Sequence, residues 1–202
     1  SPRLRAGVYD AVIVGMTAGW YRAVLAKVPE HARLLDVGIG TGAALLANAD
    51  LVEQRDLRVV GVDIDAAYIN RCRVEVARCG LADRIEARLE SVYDHAGGPY
   101  GAAYFSGSFM LMPDPPAALR HVATLLEPGA PVFFTQTFEH ARAPLLERVK
   151  PLLRWLTTID FGRVTYEAEF RAAVAAGGLV IESVDVLDGG AQRSSVLVTA
   201  RV

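Results

Sequence analysis

Cysteine is scarce in this chain: Cys72 and Cys79 are the only two among 202 residues. Two thiols cannot staple a small secreted scaffold, and no Cys/His cluster has the spacing of a zinc site, so no metal is expected. An excess of charge of one sign is also missing. The 21 Lys and Arg against 23 Asp and Glu leave a formal charge of −2, far from the cationic footprint that phosphate-backbone binding needs. Nucleic acid is therefore not an expected partner. Long apolar runs are absent too. The uncharged stretch from Ala11 to Tyr21 is broken by Gly15 and Gly19 and falls short of the roughly 20 residues that span a bilayer. Asp10 stands before that stretch and no small-residue cleavage site follows it, a poor fit to a secretory leader, although the chain opens on Ser1 rather than methionine. A reducing, cytoplasmic setting is the expectation.

The chain is 52% apolar, enough for one substantial core, and residues 1–202 are expected to form a single domain. From residue 33 onward short β-branched runs alternate with helical patterns, the mark of an α/β domain with a mostly parallel sheet. Strands are expected at Arg33–Val37, Arg58–Asp63, Ile85–Leu89, Ala102–Ser106, Pro131–Thr137, Val180–Asp185 and Ser194–Arg201. Ile64, Tyr68, Ile69, Cys72, Val76 and Cys79 recur at three- and four-residue steps, which predicts one buried helix face ending near Gly80. Leu119, Val122, Leu125 and Leu126 form a second stripe, opened by Asp114-Pro115-Pro116. Only Val186–Arg193 separates the last two strands. That is too short for a parallel crossover, so the final strand is expected to run antiparallel. Two segments stand outside this pattern, 1–29 as an N-terminal helical lid and 138–164 as an insert after the fifth strand, and both are natural places for substrate contacts.

The stretch Leu34-Leu35-Asp36-Val37-Gly38-Ile39-Gly40-Thr41-Gly42 is an apolar strand that runs into alternating glycines and then a helical pattern. Such a turn lets backbone approach a ligand closely, with free amides at the helix start. Gly38-x-Gly40-x-x-Ala43 also satisfies the dinucleotide fingerprint, so glycine spacing alone does not choose the cofactor.

The neighbouring residues favour one cofactor over the other. Asp36 with the three glycines reads D-x-G-x-G-x-G over residues 36–42, and here the sequence resembles the class I S-adenosylmethionine-dependent methyltransferase family. The resemblance implies a Rossmann-like doubly wound sheet of seven strands with the last antiparallel. It implies S-adenosyl-L-methionine as cofactor, with Asp36, Gly38, Gly40 and Gly42 around its methionine part. Asp63 would accept from the ribose hydroxyls beside Ile64, Glu90 with Ser91 would hold the adenine edge, and Ser106 would lie near the reacting methyl. Glu90 departs from the aspartate more often found there. Leu125-Leu126-Glu127-Pro128-Gly129-Ala130 is similar to the family's L-L-x-P-G-G turn, with Ala130 for the second glycine, and Gly101 stands where many relatives have aspartate.

The expected function is methyl transfer to a small-molecule acceptor through an oxygen, nitrogen or carbon nucleophile. Glu139 and His140, after the fifth strand, are the candidates for a general base. Tyr9, Trp20, Tyr21, Ser108 and Phe109 are the candidates for acceptor contact. His95 follows the third strand and is a further candidate at the same edge, whereas His31 and His121 read as structural or solvated. Asp114-Pro115-Pro116-Ala117 approaches the D-P-P-Y motif of some methyltransferases but lacks the aromatic, and an N-cap followed by proline explains it fully. Burial explains Cys72 and Cys79 better than redox chemistry. Two other readings stay open: a noncatalytic S-adenosylmethionine-binding partner subunit, and an NAD-dependent oxidoreductase, which Asp36 and the absence of a Tyr-x-x-x-Lys pair weaken.

Overall fold

The computed structural model describes residues 15–139, 165–190 and 192–202. Seven strands form one sheet: β1 Arg33–Val37, β2 Arg58–Asp63, β3 Ile85–Leu89, β4 Ala102–Ser106, β5 Val132–Glu139, β6 Val180–Gly189 and β7 Arg193–Arg201. Their order is β3-β2-β1-β4-β5-β7-β6. Neighbours from β3 to β5 pair in parallel, and β7 runs antiparallel to both β5 and β6. The order reverses between β1 and β4, which opens a crevice at the carboxyl ends of the central strands, where ligands of open α/β sheets bind.

Helices cover both faces because the central strands are apolar on both. One face carries helix α1 (15–25), α2 (Ala43–Leu46), α3 (Ala49–Gln54) and α4 (Ala66–Arg78), with Val24, Leu25, Leu34, Leu45, Ile69 and Tyr104 in one buried cluster. The other carries α5 (Pro115–Thr124) and α6 (Glu167–Ala176), with Leu35, Phe105, Leu119, Phe134 and Phe170 in a second. Adjacent residues of β1 enter opposite clusters, Leu34 the first and Leu35 the second, as the two-residue period of a strand requires. The second core is aromatic: Phe105 stacks on Phe134 at 5.3 Å, and Phe109 and Phe170 meet Phe134 edge-on.

Three expectations change against this structure. Of the six residues placed on the α4 stripe, only Ile69, Cys72 and Val76 are buried. Ile64 lies before the helix, and Ile64, Tyr68 and Cys79 are exposed. Tyr68 sits about 100° of helix rotation from Ile69 and so leaves the buried arc, and Cys79 is the C-cap rather than part of the face. The hairpin is tighter than expected, because β6 and β7 continue pairing to Asp188↔Ser195 and Gly189↔Ser194. The N-terminal segment does not stand apart from the fold. Its described part buries Tyr21, Val24, Leu25 and Val28 among Leu34, Tyr104 and Phe133, while residues 1–14, including Tyr9, lie outside the described residues.

Candidate functional site

The crevice is organised by the glycine loop and the ends of β2 and β3. Gly38, Gly40 and Gly42 all have positive φ, +87°, +59° and +70°, so the chain reverses at alternate residues and enters α2 with Gly42 as its N-cap. The three glycines serve different ends. A Cβ on Gly38 would lie 2.7 Å from the Ser108 Cβ, and one on Gly42 would lie 2.6 Å from the Cys72 Sγ, so both are packed closely. A Cβ on Gly40 would meet nothing within 4 Å. The middle glycine therefore faces open space, which is the space a ligand would share with backbone.

Asp63 ties this loop to the second strand. Its Oδ2 accepts from the Gly40 amide at 3.0 Å and its Oδ1 from the Asp65 amide at 2.9 Å. Asp65, in turn, caps α4 by accepting from the Ala67 and Tyr68 amides. Capping thus falls to Asp65, leaving Asp63 half-buried at the strand end, where each oxygen keeps a lone pair for a hydroxyl donor. Ile64 beside it is 78% exposed, and Leu89 and Leu111 are also open to solvent. A large apolar side chain held outward next to a carboxylate suits the flat face of a base.

Asp36 is completely buried. Its Oδ2 accepts from the Tyr21 hydroxyl at 2.8 Å, and its Oδ1 has no partner among the described residues. Burial, with the nearby Asp63 charge adding to it against the Tyr21 hydrogen bond, pushes the carboxyl up to about 7. The Tyr21 ring meets Tyr104 edge-on at 4.9 Å, and burial pushes both phenols well above their usual range. Tyr21 is thereby a core residue that holds Asp36, and Trp20 is buried beside it on α1.

Ser106 ends β4, half-buried and in register with Thr135. Ser108 donates to the Val37 carbonyl and so pins the turn at Phe109–Leu111 against the end of β1. Phe109 is buried in the aromatic core. Glu139 ends β5 at the same edge, half-buried, with its amide on the Thr165 carbonyl at 3.3 Å. His140 lies outside the described residues, as does most of the 138–164 insert. Ser91 follows Glu90 and accepts from the Tyr93 amide.

The sequence offers His95 only as one candidate among several, and the structure gives it a definite place. It is fully buried, with Nδ1 2.5 Å from the Glu90 Oε1 and Nε2 2.7 Å from the Tyr100 hydroxyl. The only signal in the sequence is its five-residue spacing from both partners, which no periodic pattern exposes. Elsewhere, a cavity of about 440 Å³ at the amino edge of the sheet is lined by Lys27, Glu127 and Arg201. Its cations are already paired, Lys27 with Asp185 and Arg201 with Glu182. Among the described residues no cluster of His, Cys, Asp and Glu could hold a metal, and no helix is long and apolar enough to cross a membrane.

Comparison with known proteins gives the chain a family and a fold. A ubiquinone biosynthesis O-methyltransferase from Stutzerimonas stutzeri (strain A1501) is 28% identical over 57% of this chain and 51% of its own length. The chain spans about half the length of the curated relatives it first matches. A structure of a SAM-dependent methyltransferase from Aquifex aeolicus superposes with a TM-score of 0.67 at 18% identity, over 89% of this chain and 88% of that one. Geranyl diphosphate C-methyltransferase from Streptomyces coelicolor A3(2), solved with Mg2+, geranyl diphosphate and S-adenosyl-L-homocysteine, gives 0.71 at 14% identity, over 93% and 78%. At these identities the two structures speak for the fold alone. Residues 18–184 match the family model described as a methyltransferase domain, and with most of its length inside that match the chain belongs to the methyltransferase family.

Proposed function

We propose that this protein transfers a methyl group from S-adenosylmethionine to a small-molecule acceptor. The observation that carries the reading is the loop held by its own ligand-side carboxylate: Gly40 faces open space while its amide donates to Asp63 at the end of β2. The residues present fit the cofactor. The buried Asp36 has an oxygen without a partner among the described residues, which a cationic group such as the cofactor's ammonium would satisfy. Asp63 would accept from the ribose hydroxyls, the exposed Ile64 would cover the base, and Glu90 with Ser91 would meet its edge.

The cofactor supplies an activated methyl group on a sulfonium, so the chain's task is alignment and exclusion of water. Gly38 and Gly42 keep the loop tight against Ser108 and Cys72 and so fix where the Gly40 backbone stands. Ser106, at the end of β4, would lie near the reacting methyl. The relatives' name, ubiquinone biosynthesis O-methyltransferase, favours an oxygen nucleophile. Such an acceptor must lose a proton, and Glu139 at the carboxyl edge of β5, with the adjacent His140, is the place to receive it.

Calorimetric titration with S-adenosylhomocysteine and with NAD, followed by an acceptor screen reading S-adenosylhomocysteine release, tests this. Binding of S-adenosylhomocysteine without NAD binding, and turnover on a phenol or hydroxyquinone, is the expected result. NAD binding in its place would overturn the reading, and cofactor binding without turnover on any acceptor class would favour the noncatalytic partner subunit.

A further inference from the structure

Between β3 and β4 the chain builds a polar relay inside an otherwise apolar wall. His95 is fully buried and held at three points: Nδ1 on the Glu90 carboxylate, Nε2 on the Tyr100 hydroxyl, and its backbone carbonyl accepting from His121 Nε2 at 2.8 Å. A carboxylate can only accept, so Nδ1 carries the hydrogen toward Glu90. Burial pushes the Tyr100 phenol up, which keeps its hydroxyl protonated and able to donate to Nε2. Tyr100 is itself fixed. Its ring lies under the Arg33 guanidinium at 4.9 Å, and its amide and carbonyl bond Leu125 and Glu127.

Even the loop's glycine serves this arrangement. A Cβ on Gly97 would lie 2.4 Å from the Tyr100 hydroxyl oxygen and 2.6 Å from His95 Nε2, on top of the bond between them. What emerges from the wall is Glu90, with a side chain 29% exposed. Its amide donates to the Asp63 carbonyl, which sets it beside the residue at the β2 end. The Oε1 faces His95, and 3.9 Å away lies Arg88, whose guanidinium is engaged mainly by Glu86. The Oε2 takes no hydrogen bond among the described residues.

We infer that His95 is a positioning residue for base recognition: anchored on Tyr100, it fixes the Glu90 carboxylate so that its free oxygen accepts from the exocyclic amino group of the cofactor's adenine. The inference rests on the proposed methyltransferase reading and adds a specificity element to it. A glutamate reaches one methylene further than an aspartate and has one more torsion to lose. A buried ring with both nitrogens bonded removes that freedom before the ligand arrives. An oxygen that only accepts favours a 6-amino base and disfavours a 6-oxo base, whose carbonyl has no hydrogen to offer.

The test compares S-adenosylhomocysteine with S-inosylhomocysteine by calorimetry, on wild type and two variants chosen by shape. In His95→Asn the amide nitrogen stands where Nδ1 stood and still donates to Glu90. In His95→Gln the amide reaches toward Tyr100 and the donor to Glu90 is lost. The wild type should prefer the adenosyl ligand by about tenfold or more, the scale of one charge-assisted hydrogen bond. His95→Asn should keep that ratio within about threefold, and His95→Gln should bring it close to one. A purely structural role would lower affinity for both ligands equally and leave the ratio alone. An unchanged ratio in a folded His95→Gln, or equal binding of both ligands by the wild type, overturns the inference while leaving the methyltransferase reading intact. Failure of the wild type to bind S-adenosylhomocysteine at all overturns both. Should the variants not fold, 15N spectra of histidine-labelled wild type answer the same question. The His95 Nδ1 resonance should move on adding S-adenosylhomocysteine and less with the inosyl ligand, and a resonance unmoved by a saturating ligand overturns the proposal.

Discussion

At the residue scale the glycine loop shows how one repeated residue type can have separate duties. Gly40 and Gly42 share the same left-handed backbone, yet a methyl group would strike the Cys72 sulfur at Gly42 and nothing at Gly40. The same substitution should therefore act mainly on stability at Gly42 and mainly on ligand affinity at Gly40. Gly42→Ala should lose about 1–3 kcal/mol of stability through strain and overpacking, part of which Cys72→Ala restores. Gly40→Ala should cost only the backbone strain, about 1–2 kcal/mol, and remain folded while its affinity for S-adenosylhomocysteine falls at least about tenfold, since the methyl enters ligand space. Thermal melts and calorimetry on the same two proteins read both effects. A Gly40→Ala protein that binds as tightly as wild type would remove the loop from the site.

At the scale of elements, the strands were legible because each is a short apolar run bounded by glycine, proline or charge, and β1 through β4 begin and end where that pattern says. Asp114 was legible for the same local reason: its carboxylate accepts from the Ala117 amide, three residues on. What periodicity could not show is which of two adjacent apolar residues turns inward, as at Tyr68 and Ile69, because tertiary packing decides it. Nor could it show the Glu90–His95–Tyr100 relay, which joins three residues of an irregular loop and has no period. Helix α1 was misjudged because two glycines and an isolated position before β1 read as detachable. Yet Val24, Leu25 and Val28 are fully buried against the sheet. Leu25→Ala should consequently cost about 2–5 kcal/mol, the usual loss for a buried leucine in a packed core. The readout is the midpoint of a denaturant titration with unchanged slope. A loss below about 1 kcal/mol would mean that α1 is a loosely docked lid after all.

At the scale of the whole molecule, the reversal of strand order beside β1 puts a carboxylate in the middle of the sheet, on a strand covered by helices on both faces. A ligand crevice needs polar groups at the strand ends, and Asp36 lies one residue inside that boundary, completely buried. The fold keeps this carboxyl near 7, mainly through burial, whereas in the unfolded chain it titrates near 4. Between those values the native state holds a proton that the unfolded state has released. Stability from this group is therefore full below about pH 4, declines as the pH rises toward about 7, and is level above it, a total on the order of a few kcal/mol. Asp56 and Glu86, which arginine partners hold below the usual carboxylate range, act in the opposite sense at the surface, so the contribution must be read by difference. Asp36→Asn keeps an oxygen for the Tyr21 hydroxyl and removes the titration. The variant should gain stability relative to wild type steadily from pH 4.5 to 7.5, with no further gain above that, in ligand-free melts. A difference between the two proteins that stays constant across this range would show that Asp36 is ionised in the native state throughout, and that a cation or water reaches its second oxygen even without the cofactor.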